Sequence, residues 1–385
     1  MVFVKSALAA FLVVITGLSA SAQVFSTRAE NAILIDVGSG SVLMEKLADD
    51  RMPPASMAKM MTLAVVFDAL VSGELALHDT MPVSENAWRK GGTNSGGSTM
   101  FLDPDPRVDP PTVEDLVRGI AVQSGNDASI VIAEGMSGTE GAFAQRMNGL
   151  ARKIGMKNSN FTNSTGLPDP DQYTSAKDLA VLGRYLIEQF PDLYAYFAEP
   201  EFTWNDIRQF NRNPLFKLKI GADGIKTGFT KESGYGVAAS ALQGDRRLLL
   251  VINGLETRKA RAEEAQRMLE WGFRAFQSIP IFGKDDVIGG AKVFGGEKST
   301  VDVVAKRAVS VLLPKGNYGR LSARVSYRGP LKAPVSAGEP VGNLIIRVDG
   351  KEVQREPVFT NEDVETGTLQ QRALDALFEL TLGWF

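Results

Sequence analysis

The chain has no cysteine and a single histidine, His78, among its 385 residues. Without cysteine there is no disulfide, no thiol nucleophile and no thiolate metal site. One imidazole cannot build a zinc cluster. His78 stands in a polar stretch beyond the helix expected to end near Gly73, which reads as surface. Any serine nucleophile here is therefore expected to be activated by something other than imidazole. A basic surplus is also missing. Lys and Arg number 42 against 45 Asp and Glu, a formal net charge of −3, which argues against a general nucleic-acid partner. The apolar run near the N-terminus, Ser6–Leu18, is short for a bilayer span. It follows Lys5 and precedes the small-residue stretch Ser19-Ala20-Ser21-Ala22, so residues 1–22 are expected to be a signal peptide removed after Ala22. Export to a bacterial periplasm or cell surface follows from that reading. What remains, 44% apolar and 23% charged, is the composition of a globular chain longer than one ordinary domain.

Asn31–Val37 and Ser41–Glu45 read as two strands joined by the Gly38-Ser39-Gly40 turn. Pro53-Pro54-Ala55 then introduces a helix expected from Ser56 to about Val71. Residues 89–111, rich in Gly, Asn, Ser, Asp and Pro, read as loop. Thr112 with Asp115 forms a capping-box pattern for a helix up to Val122, and helical patterns recur at Ala128–Gly135, Ala142–Ile154 and Ala176–Phe190. Gly224–Thr230, Gly236–Leu242 and Arg247–Asn253 read as strands, and Arg258–Phe276 as a helix. Strands flanking an inserted helical block predict an α+β domain, an antiparallel sheet covered by helices, over residues 23–280. After Pro280 the composition turns Val- and Gly-rich with alternating runs, predicting a small all-β domain over 281–365. Residues 366–385 return to helical spacing. Leu369, Ala373, Leu374, Ala376, Leu377, Phe378, Leu380, Trp384 and Phe385 form an apolar face opposite Gln370, Gln371, Arg372, Asp375 and Glu379.

Three short motifs carry candidate chemistry. In Ser56-Met57-Ala58-Lys59 the serine and lysine are three apart, so on a helix the amine reaches the hydroxyl. Ser56 opens that helix, where free N–H groups favour a developing oxyanion, and Met57, Met60 and Met61 are expected to desolvate Lys59 and lower its pKa. Ser124-Gly125-Asn126 falls between two helices. Lys226-Thr227-Gly228 sits on a strand whose edge can receive a peptide, with Gly228 expected to leave room for its approach.

In this order the three motifs resemble the signature of penicillin-binding proteins and serine β-lactamases. The flanking text, Pro54-Ala55-Ser56-Met57-Ala58-Lys59-Met60-Met61-Thr62, Gln123–Ala128 and Asp223–Gly228, is similar to the low-molecular-mass D,D-carboxypeptidase family of serine peptidases, from about Asn31 through Phe359. The resemblance implies Ser56 as acyl-accepting nucleophile, Lys59 as its base and Ser124 as the proton relay to the leaving amine. It implies that Asn126 binds the substrate amide, that Lys226 supplies positive charge, that Thr227 and Arg212 hold the terminal carboxylate beside Gly228, and that the backbone N–H groups of Ser56 and Phe229 form the oxyanion hole. Some relatives carry histidine where this chain has Phe229, which puts side-chain polar contacts there in doubt. The implied partners are peptidoglycan stem peptides ending in D-Ala-D-Ala, β-lactams, and, through the C-terminal helix, the outer face of the inner membrane. No cofactor or metal is implied. An endopeptidase or weak transpeptidase would use the same residues. A β-lactamase would need a deacylation base, and no Glu-x-x-Leu-Asn segment lies between Ser124 and Lys226. A non-catalytic peptidoglycan-binding scaffold is the remaining alternative.

Overall fold

The computed structural model describes residues 25–315 and 320–382. The expected signal peptide lies outside the described residues, as do Trp384, Phe385 and the side chains of Leu374, Leu377, Phe378 and Leu380.

Five antiparallel strands form the central sheet: β1 (Asn31–Asp36), β2 (Val42–Lys46), β5 (Ala222–Thr230), β6 (Gly234–Gln243) and β7 (Arg246–Leu255), in the order β2-β1-β7-β6-β5. Between β2 and β5 in sequence lies a two-stranded hairpin, β3 (Glu201–Trp204) and β4 (Ile207–Phe210). The period-2 alternation of the strands sorts their side chains onto two cores. Ile33, Ile35, Leu249, Val251 and Ala238 face the inserted helices. Leu34, Leu248, Leu250, Ile252 and Ala239 face the C-terminal helix of the domain, α8 (Arg258–Ala275). Both faces are thus covered, and β5 is left as an edge strand.

The inserted block holds α1 (Lys59–Ser72), α2 (Glu85–Gly91), α3 (Val113–Arg118), α4 (Asn126–Ser137), α5 (Glu140–Ile154), α6 (Ala176–Gln189) and the single turn α7 (Pro191–Tyr194). By length and composition Ala55–Ser72 could cross a membrane, but here it is the buried core helix. It ends at Gly73, whose φ of 76° closes the last turn in the left-handed region. Its first turn is tighter than the sequence suggests. Met57 N–H donates to Pro54 C=O at 3.1 Å, so residues 55–58 form a 3₁₀ turn before the α-helix begins at Lys59.

Part of the segment read as loop is helical. Ser84 caps α2 by accepting from Ala87 N–H. Gly91, which looks like a loop residue, is a close-packing device: a Cβ there would lie 2.3 Å from Asp127 N. The Thr112–Asp115 capping box forms as expected, but α3 stops at Arg118 and a π-helical turn carries residues 119–123 to Ser124. The hairpin β3–β4 escaped the sequence reading. Its turn residues Asn205 and Asp206 both have positive φ, the conformation Asn and Asp tolerate best among side-chain-bearing residues.

α8 runs directly into β8 (Phe276–Phe282), which pairs with β11 (Val309–Pro314). A six-stranded sheet built from β9 (Val287–Phe294), β10 (Thr300–Val304), β12 (Leu321–Tyr327), β13 (Leu331–Lys332), β14 (Pro340–Val348) and β15 (Lys351–Thr360) completes the second, all-β unit. Val293, Val303, Val311, Leu344, Ile346 and Val358 fill its core. The last helix, α9 (Leu369–Leu382), begins against this unit: Gly295 N–H donates to Asp375 Oδ2 at 2.8 Å.

Candidate active site

Ser56, Ser124, Asn126, Arg212, Thr227, Gly228 and Phe229 line one cleft of about 820 Å³. Lys59 and Lys226 lie buried behind its walls. These motif residues, spread over the 173 positions from Ser56 to Phe229, therefore meet at one place.

The nucleophile turn comes first. Lys59 is completely buried, and its Nζ lies 3.3 Å from Ser56 Oγ, 2.7 Å from Asn126 Oδ1 and 2.5 Å from Thr165 C=O. Burial, and after it the nearby Arg212 charge, brings this amine down to about 7 against the opposite pull of Asp127 and Glu140. Half of such amines are neutral near neutral pH and can take a proton. The expected desolvation of Lys59 is thus present, supplied by the core around α1 as well as by its methionine neighbours. Thr165 belongs to a loop organised by Asn163, whose Oδ1 accepts from Thr165 Oγ1 and Gly166 N–H, both at 2.8 Å. Nothing in the sequence marked that carbonyl as a lysine acceptor.

The second motif enters from the π turn. Ser124 ends it with φ 66°, and its buried Oγ has no hydrogen-bond partner among the described residues. Asn126 N–H donates to Ser98 C=O at 2.7 Å. Asp127, wholly buried, accepts from Thr99 Oγ1, from the N–H groups of Met100 and Leu102, and from Ala128 N–H. One carboxylate therefore ties the strand of loop at 99–102 to the start of α4. Gln209 on the β3–β4 hairpin supports the same loop by donating to Met100 C=O at 3.2 Å.

The third wall is the edge strand β5. Gly228 brings that strand close to the nucleophile turn rather than simply clearing a path for substrate. A Cβ there would stand 3.2 Å from both Ala55 Cβ and Met57 Cγ. Lys226 is held well below the usual lysine range by burial, and then by the charges of Lys59, Arg212 and Arg261. Arg212 reaches across the cleft, donating to Ser98 Oγ at 2.6 Å and Gln123 Oε1 at 3.3 Å. Burial and the neighbouring Arg258 lower its pKa. Arg258 and Arg261, both from α8, also line the cleft and were missed, since nothing in an amphipathic helix says which arginine faces the site. Phe229 stacks on Tyr235 with ring centroids 4.2 Å apart and stays 48% exposed, an apolar lip where a polar side chain could have stood. No Asp or Glu lines the cleft among the described residues, and three arginines do, so it favours an anionic group.

A family profile described as D-alanyl-D-alanine carboxypeptidase matches residues 18–257, and one described as the C-terminal domain of penicillin-binding protein 5 matches residues 276–366. The chain belongs to the D-alanyl-D-alanine carboxypeptidase family. It is 39% identical over 356 residues to D-alanyl-D-alanine carboxypeptidase DacC of Escherichia coli, covering 92% of this chain and 88% of that one. Penicillin-binding protein 5 of Haemophilus influenzae superposes with a TM-score of 0.78 at 36% identity, over 89% of this chain and 98% of that one. Penicillin-binding protein D2 of Listeria monocytogenes, solved in a cefotaxime-bound form, superposes with a TM-score of 0.58 at 27% identity, over 65% of this chain and 99% of that one. The first two of these likenesses extend over both units of the fold.

His78 is exposed in the turn after α1 and lines no part of the cleft. His78→Ala should therefore release D-alanine at a rate within about twofold of the parent, as for a neutral surface change. A well-folded variant that loses activity would overturn activation by lysine.

Proposed function

We propose that the protein is an exported serine D,D-carboxypeptidase that removes the terminal D-alanine of peptidoglycan stem peptides through a Ser56 acyl-enzyme. The observation that carries this reading is the buried Lys59 amine, hydrogen-bonded to Ser56 Oγ and Asn126 Oδ1, two groups that line a cationic cleft. Ser56 Oγ attacks the carbonyl of the penultimate D-alanine, and its proton passes to neutral Lys59. The backbone N–H groups of Ser56 and Phe229 receive the oxyanion, where one such donor is worth about 2.7–4 kcal/mol. The C–N bond then breaks, Ser124 relays a proton to the leaving amine, and D-alanine departs. Water cleaves the remaining ester and restores Ser56. Asn126 Oδ1 is already occupied by Lys59, so its Nδ2 is the group left to donate to a substrate carbonyl. Thr227 and Arg212 hold the terminal carboxylate, and Lys226 adds to the field that attracts it. Incubation with a peptide ending in D-Ala-D-Ala should release free D-alanine. No release would sink the proposal.

The same serine should be acylated by penicillin. With no carboxylate lining the cleft to activate a deacylating water, the penicilloyl ester should persist on the peptide containing Ser56. Mass spectrometry after a chase reads this directly. Rapid multiple turnover of penicillin would instead place the protein with the β-lactamases.

The domain limits proposed are 23–280 for catalysis and 281–365 for the β unit, with residues 366–385 holding the mature protein on the periplasmic membrane surface. Exposed Leu369, with 82% of its surface free, and the amphipathic spacing of α9 support attachment. Deleting Thr368–Phe385 should move the protein from the membrane pellet to the soluble fraction and leave D-alanine release intact. Identical fractionation of both forms would favour a helix docked on its own β unit, as the Gly295–Asp375 bond would allow.

A further inference from the structure

A second pocket, of about 530 Å³, lies between the two units of the fold and shares no lining residue with the cleft. Ser39, Gly40 and Arg184 line it from the unit that carries the cleft. Arg307 and residues 352–357 line it from the β unit. The described chain passes between the units once, where α8 runs into β8. A ligand held by both walls therefore fixes how the units are set against each other.

Each wall offers a polar group with bonding capacity to spare. On the β unit, Gln354 and Glu356 of β15 are both buried, and the Nε and Nη2 groups of Arg307 donate to the Glu356 carboxylate. A carboxylate can only accept, so the Gln354 amide turns its Nε2 towards Glu356 Oε1, 3.0 Å away. Its own Oε1 is left as a fixed acceptor, buried and without a partner among the described residues. Such an acceptor costs stability until something donates to it. On the other wall, Arg184 of α6 donates through Nε to Glu188 Oε1 at 2.8 Å, and neither terminal nitrogen has a partner among the described residues. Gly40, with φ 70°, makes room for that guanidinium, since a Cβ there would stand 3.0 Å from Nη1. Two nitrogens on one planar fork match the oxygens of a carboxylate or phosphate.

Three arginines and two glutamates line the pocket, a surplus of one positive charge, and Val353 and Pro357 add apolar surface. These features together match one anionic group, several hydroxyl or amide donors and a C–H face, on a body of small-ligand size. We infer that the pocket binds a sugar carrying one anionic group, with its oxyanion on Arg184 and a hydroxyl or amide N–H on Gln354 Oε1. Glu352 and Glu356 accept from further hydroxyls, while Val353 and Pro357 cover the C–H face of the ring. The site is separate from Ser56, so its occupancy does not depend on the carboxypeptidase reading above.

Isothermal titration of the full-length protein with three sugars tests this. N-acetylmuramic acid carries a carboxylate, N-acetylglucosamine 6-phosphate carries a phosphate, and N-acetylglucosamine carries neither. At least one anionic sugar should bind about tenfold or more tightly than the neutral one. Tighter binding of the carboxylate assigns the ligand to the wall glycan, and tighter binding of the phosphate assigns it to a phosphorylated sugar. Arg184→Gln should abolish the preference for the anion, and Gln354→Leu should weaken the anionic sugar about tenfold. Thermal melts check that both variants are folded. Arg184 is paired only with Glu188, so its variant keeps the fold and decides the matter alone if Gln354→Leu does not. Binding in the arginine-lined cleft would survive both substitutions. No binding, equal affinities for the three sugars, or a preference unchanged in the folded variants would overturn the inference.

Discussion

Lys59→Ala should lose about 10³-fold in the rate of Ser56 acylation, by peptide and by penicillin alike, the range expected when a positioned base is removed. The variant leaves Asn126 Oδ1 and Thr165 C=O without their shared donor, so its fold should be checked by circular dichroism before its rate is read. The parent carries a matching pH signature. Burial, reinforced by the Arg212 charge, favours the neutral amine and places its pKa at about 7. Only the neutral amine accepts the proton of Ser56. Acylation should therefore rise with pH through about 7 and fall roughly tenfold per pH unit well below it. Lys59→Ala should flatten that limb along with lowering the rate. Near-normal acylation by a folded Lys59→Ala variant, or a limb near the ordinary lysine range, would reject Lys59 as the base. Ser56→Ala, by contrast, should form no adduct at any pH.

Asp127→Ala is expected to be the most destabilising single change near the cleft. The Asp127 carboxylate is wholly buried and serves Thr99 Oγ1 together with the N–H groups of Met100, Leu102 and Ala128. Truncation leaves these donors buried and unpaired, at about 1–3 kcal/mol for each group that finds no other partner. A net loss of about 3 kcal/mol corresponds to a fall in melting temperature of roughly 6–12 °C for a domain of this size. Asp127→Asn keeps one acceptor oxygen and should fall between the two. The loop at 99–102 follows Ser98, which accepts from Arg212, so acylation should weaken along with stability. Melting of Asp127→Ala within about 1 °C of the parent would show that the loop is held by other contacts.

Asp127 also shows where sequence reading stops. It directly follows the Ser124-Gly125-Asn126 motif, yet no local pattern says that its carboxylate faces inward and gathers a loop 25–28 residues upstream. The Thr165 carbonyl is equally silent, because every residue has a carbonyl and only folding selects which one meets a lysine. Gly91 misled in the opposite direction. Glycine is a loop signal in sequence and here is the contact surface between α2 and the start of α4.

The local signals were of another kind. Ser56 and Lys59 are one helical turn apart, so their meeting needs little beyond the first turns of one helix. β1 and β7 read as strands because they are short apolar runs beside turns, and a sheet with both faces covered buries successive residues. The capping box at Thr112 and the stop at Gly73 are written in four or five residues and formed where they were read. By itself, then, the sequence determined most of the elements, their order and the three short motifs, because helix, strand, cap and turn are largely decided by neighbours along the chain. The tertiary structure alone decided the buried amine near neutrality, the three arginines of the cleft, the second pocket and the role of Gly228. Those properties depend on distance and dielectric between residues far apart in sequence, and only packing sets them.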